Sequence, residues 1–108
     1  MTVNELLSRT GFEPASLPDG ERVIDGVYIG DLLSWVMGRA RENNAWLTIM
    51  SNVNVVAVAS LTDVSCVILC EDVTLEEDIL KTASDKGINV ILSPLTAYET
   101  AQKLNGIL

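Results

Sequence analysis

The side chains best suited to hold a small molecule carry no charge. Thr48, Ser51, Asn52 and Asn54 lie close together, and Ser93 and Thr96 recur after a later apolar run. Hydroxyls and carboxamides donate and accept hydrogen bonds, but they do not ionise near neutral pH. Such a set can recognise a ligand. It cannot move a proton as an imidazole or a tuned carboxyl does. Asn52, Asn54 and Ser93 are also good helix N-caps, so simple capping is the competing reading.

The other candidates are weaker. Gly26 to Asp31 is glycine-bearing, but a phosphate loop needs Lys and Ser/Thr after its second glycine. Here Gly30 is followed by Asp31 and Leu32, and a carboxylate at that point repels phosphate. Cys66 and Cys70 would sit about 13 Å apart if they share one strand, too far for a disulfide or a common metal ion. They read as small buried apolar residues. Glu71, Asp72, Glu76, Glu77 and Asp78 could in principle ligate a divalent cation. Acids also gather at helix N-termini because the macrodipole favours them there, and that is the preferred reading. The chain has no histidine, which removes the commonest general base, the commonest metal ligand and every imidazole-dependent triad. No catalytic residue, cofactor or metal site is expected.

Charge narrows the partners. Fifteen acids against seven bases give a net charge of −8, and the bases are scattered. A nucleic-acid surface requires clustered Lys and Arg, so neither nucleic acid nor an anionic membrane is an expected partner. Residues 43–62 carry no charge, but their many Asn, Ser and Thr side chains would be costly in lipid. No signal peptide is visible at the start of the chain, and two cysteines make no disulfide framework, so the cytoplasm is the expected compartment.

The elements that must position these residues follow from periodicity. A chain of 108 residues suits one domain, with an N-terminal helix and loop over 1–21 and an α/β core over 22–108. Thr2 and Glu5 form a capping box for a first helix that Gly11 ends. Residues 12–20, with Pro14, Pro18 and Asp19-Gly20, read as loop. Val23-Ile24 and Val27 to Ile29 read as strand with Gly26 as a bulge. Asp31 would cap a helix whose buried stripe is Leu32, Leu33, Val36, Met37 and Ala40. Trp35 flanks that stripe and suits either a partner surface or the core edge.

From Ala45 the chain repeats a unit of strand, turn and helix. The strands are Trp46–Met50, Ser65–Cys70 and Asn89–Leu92. Residues 54–59 have strand-like composition, yet parallel neighbours need a crossover of about a dozen residues. That predicts a helix over 52–63 with Val53, Val56, Ala57 and Leu61 on one face. Thr74 and Glu77 cap the next helix, whose face is Leu75, Ile79 and Ala83, and Gly87 ends it. Ser93 and Pro94 start the last, with Ala97, Ala101 and Leu104 buried and Gly106 as its stop. The expected fold is α/β with a mostly parallel sheet of βα repeats. Ligands on such sheets bind outside the carboxyl ends of the strands, where Thr48, Ser51, Asn52, Asn54, Ser93 and Thr96 would converge.

Gly26 to Ser34, Trp46 to Ile49, Asn54 to Ala59, Gly87 to Ser93 and Thr96 to Ala101, in that order, resemble the DRTGG domain family. The resemblance covers about residues 22–105. It implies a single α/β domain that pairs as a homodimer and plays a regulatory or ligand-sensing part. The resemblance implies relatives beside CBS domains in a regulated pyrophosphatase, inside long phosphotransacetylases, and in proteins related to the N-terminal part of HPr kinase. Small free-standing members imply a protein partner in an iron-only hydrogenase or other electron-transfer complex. The motif that names the family is absent, and its slot reads Ser51-Asn52-Val53-Asn54. Loss of the Asp and Arg removes an evident contact for an anionic ligand. The competing reading is a structural adaptor without a ligand. An enzyme ranks third, and a kinase is rejected for want of the phosphate loop.

Overall fold

The computed structural model describes residues 1–108. Five helices and five strands make up the chain, alternating from β2 onward: α1 (Val3–Thr10), β1 (Glu13–Ser16), β2 (Gly26–Ile29), α2 (Leu33–Arg39), β3 (Asn44–Thr48), α3 (Asn54–Thr62), β4 (Cys66–Leu69), α4 (Glu77–Asp85), β5 (Val90–Leu92) and α5 (Ala97–Asn105). They build one sheet of order β1-β5-β4-β3-β2. β2 to β5 run parallel, and β1 is antiparallel to β5.

Alternation along β3, β4 and β5 splits the core into two layers. Trp46, Val67, Leu69 and Val90 face α2, α3 and α4. Ala45, Leu47, Cys66, Ile68 and Ile91 face α1 and α5. β4 is buried over its whole length, and β3 is buried beyond Asn44, as strands covered by helices on both faces must be. The expected α/β fold with a mostly parallel sheet is therefore present, and residues 54–62 are the crossover helix between β3 and β4.

Several local expectations give way. Residues 13–16 are a strand rather than loop: Pro14 is tolerated because β1 is an edge, and the register slips between Pro14 and Ser16. Gly26 is not a bulge. It pairs in regular register with Asn44, while Val23 bridges to Thr2 outside the strands. Asp31 does not cap α2, whose N-cap is Leu32 with no side-chain bond. The stripe on α2 is only partly buried: Val36 is inside, and Leu32 and Met37 face out.

Of the expected face of α3 only Val56 is buried; the helix also buries Val55, Val58 and Ala59, and leaves Val53, Ala57 and Leu61 exposed. A helix apolar on most sides gives no single period to read. Thr74 does not cap α4, which starts after Glu76. Ser93 does not cap α5; Thr96 does, in a capping box with Glu99. The first capping box, Thr2 with Glu5, forms as expected, and the hydrogen bonds from Thr2 hold the Glu5 carboxyl below its ordinary value. Gly11 and Gly87 adopt the left-handed conformation, with φ of 73° and 76°. No helix is long and apolar enough to cross a membrane.

Candidate functional site

Because β2 to β5 are parallel, the turns after them gather along one rim. The β2–α2 and β3–α3 turns are tied together there. Asp31 Oδ1 accepts from Thr48 Oγ1 at 2.8 Å and from the Ile49 amide at 3.0 Å. Thr48 Oγ1 in turn accepts from the Met50 amide at 3.2 Å. Trp46 Nε1 donates to the Gly30 carbonyl at 2.8 Å. Thr48 is thus buried, with its hydroxyl used in both directions.

The next residues are open. Ser51, Asn52 and Asn54 are exposed. Asn52 Oδ1 accepts from the Asn54 amide at 2.9 Å, folding the turn over α3. That turn offers the Ser51 hydroxyl, the Asn52 Nδ2 amide and the whole Asn54 carboxamide to solvent.

Ser93 and Thr96 belong to a second linked pair of turns. Glu71 and Asp72 both have positive φ, 58° and 60°. Their amides donate to Leu95 O at 2.8 Å and Ser93 O at 3.2 Å. Two successive left-handed residues aim successive N–H groups at the β5–α5 turn, and that fixes the turn. Ser93 is fully buried, shares a 2.8 Å hydrogen bond with Thr100 Oγ1, and accepts from the Leu95 amide at 3.2 Å. Thr96 Oγ1 accepts from the Glu99 amide at 3.1 Å.

The six side chains therefore form two groups on one rim. Thr48, Ser51, Asn52 and Asn54 follow β3, Ser93 and Thr96 follow β5, and β4 stands between. Backbone bonds join the groups across it: Cys70 N to Thr48 O at 3.0 Å, and Ser93 N to Leu69 O at 2.8 Å.

The larger cavity lies away from this rim. A cleft of about 780 Å³ opens between β2 and α5, with Val27, Ile29, Tyr98, Ala101 and Leu108 in its walls. A smaller one, about 360 Å³, lies on the rim past the ends of β4 and β5, among Phe12, Glu13, Asp72, Thr74 and Pro94. Neither contains any of the six residues. Burial pushes the Cys66 thiol up to about 12 and also raises that of Cys70, so neither is a ready nucleophile or metal ligand near neutral pH.

Sequence reasoning missed three positioning residues. Asp31 has no helix to cap and instead joins two turns. Asn89, buried at the start of β5, binds three backbone groups. Arg22 pairs with Asp63 at 3.0 Å and reaches Asn43 Oδ1. Asp31 and Asn89 each end or begin an apolar run, a position where a polar side chain can reach neighbouring turns. That was the available signal.

A model of the DRTGG domain matches residues 20–107. The chain belongs to the DRTGG domain family. This DRTGG domain also superposes, at a TM-score of 0.75 and 14% identity, on the crystal structure of the CBS and DRTGG domains of the regulatory region of Clostridium perfringens pyrophosphatase, complexed with the activator diadenosine tetraphosphate. The match covers 95% of this chain and 45% of that one, so the DRTGG domain here spans less than half of the regulatory region it resembles. Identity that low carries the fold and nothing finer. No curated protein matches. In the solved relative the DRTGG domain is part of a regulatory region that is complexed with a small-molecule activator.

Proposed function

We propose that this DRTGG domain is a non-catalytic regulatory module that senses a small ligand at the rim turn and works as a homodimer. The carrying observation is the chemistry of that turn. Ser51, Asn52 and Asn54 present hydrogen-bonding groups and no titratable one, on a base held by Thr48 and Asp31. Such a surface can bind and be restrained by binding, but it supplies no acid, base or nucleophile. Ser93 and Thr96 act as posts that hold the neighbouring turn, so a ligand at the rim would be felt by α5 through Thr100.

A thermal-shift series with nucleotides and small anions tests the reading, since a ligand selective for the folded state raises Tm with its concentration. Asn52→Ala should abolish any shift found. A shift unchanged by Asn52→Ala removes the turn from the site, and no shift with any probe favours an adaptor that works through protein contacts alone. The partner suggested by small free-standing relatives is a hydrogenase or electron-transfer complex. Co-purification of such subunits with the tagged chain would support it, and recovery of the chain alone would count against it.

A further inference from the structure

The two edges of the sheet are built differently. β1 carries Glu13 and Pro14 and breaks register before Ser16. A charge, a proline and a bulge are the devices by which edge strands refuse further pairing. β2 has none of them. It reads Gly26-Val27-Tyr28-Ile29, runs in regular register with β3, and has no strand on its outer side.

Apolar side chains flank that open edge on both faces. Towards α5, Val27 and Ile29 line the larger cleft with Tyr98 and Leu108, and Ile29 and Tyr98 are 49% and 70% exposed. On the opposite face α2 is the outermost helix. It packs on α3 and presents Leu32, Trp35 and Met37, with Leu32 and Trp35 60% and 53% exposed. By their fractional exposures these seven residues leave roughly 700 Å² open, close to the one-partner share of about 800 Å² in a standard protein interface.

The patch is nearly neutral in a chain of net charge −8: the cleft holds Asp25 and no base, and the Arg39 guanidinium lies over the Trp35 ring at 3.6 Å. A highly charged partner finds little complement here, whereas a second neutral, apolar patch does.

We infer that a second copy of this chain docks on the β2 edge, the two β2 strands pairing antiparallel about a two-fold axis so that two five-stranded sheets become one. An isologous contact needs a self-complementary surface, and an uncharged strand edge with apolar flanks is one. This assigns the interface for the homodimer of the proposed function and rests on that reading.

Sedimentation equilibrium on the full chain tests it with three variants. The wild type should have twice the 11.7 kDa mass of one chain. Ile29→Lys and Tyr98→Lys, each at a half-exposed or exposed position, should keep the circular dichroism of the fold and weaken dimerisation on the order of 100-fold, as loss of an interface anchor does. Leu17→Lys, at an exposed position next to the opposite edge, should remain dimeric. Dimers of undiminished affinity in Ile29→Lys and Tyr98→Lys would overturn the β2 interface while leaving the homodimer standing. A wild type that is monomeric throughout would overturn both, and would give the patch to a partner of different sequence.

Discussion

Asn89→Ala should destabilise the chain more than any other single polar truncation. Asn89 is 1% exposed. Its Nδ2 donates to Asp19 O at 2.7 Å and to Ser65 O at 2.9 Å, and its Oδ1 accepts from Asp19 N at 3.0 Å. One carboxamide thus fastens the loop after β1 to the start of β4 and β5. Each such bond contributes about 1 kcal/mol net, so losing all three costs about 3 kcal/mol. For a chain of this length about 1 kcal/mol moves Tm by roughly 4 °C, which predicts a fall of roughly 12 °C. Asn89→Asp provides the contrast. It keeps the acceptor for Asp19 N but turns an anionic oxygen towards two carbonyls in a buried site, so near neutral pH it should be worse than alanine. Urea and thermal melts on the three proteins decide the matter. A fall of less than about 3 °C for Asn89→Ala would mean that the bonds are replaced by water, and the reasoning would fail.

The remaining expectations concern the turns and the thiols. Thr48→Val removes the bonds to Asp31 and from Met50 and should lower stability by about 1–2 kcal/mol, with Thr48→Ser recovering most of it in the same melts. Gly87→Ala, at φ 76° with open space around it, should cost about 1 kcal/mol through backbone strain alone, and Gly87→Asn less. The Cys66 thiol has an ordinary value of 9.0 and a folded one of about 12. The unfolded chain therefore loses its proton first, so stability should be intact below pH 9 and fall as pH rises from there towards 12. Cys66→Ala should flatten that alkaline slope in denaturant titrations, and a slope equal to wild type would refute the assignment.

Most of the fold was legible because strand length and crossover length constrain each other. The run from Asn54 to Ala59 has strand composition, yet it must be helix once Trp46 and Val67 lie on adjacent parallel strands. The edges were less legible. Pro14 looks like punctuation, and only the antiparallel partner β5 makes it strand. Helix starts failed where a side chain had a better use: Asp31 and Ser93 are sound N-caps by type, but Asp31 bonds to the β3–α3 turn and Ser93 to Thr100 within α5. The shared rim was legible, because parallel strands put the turns after β3 and β5 at one end of the sheet. The sequence could not distinguish Thr48 and Ser93, which are spent inside, from Ser51, Asn52 and Asn54, which remain open, because that division depends on contacts from other turns.

The two core layers also differ in how soon they can form. The layer under α2, α3 and α4 joins elements that follow one another in the chain, so each crossover can settle as it is made. The layer under α1 and α5 unites Val3 and Leu6 with Leu104, nearly the full chain apart. Contacts at that separation carry the greatest loop-closure entropy, and they are late in coming together. Whatever grips or loosens α5 therefore acts on the contacts that close the longest loop of the chain.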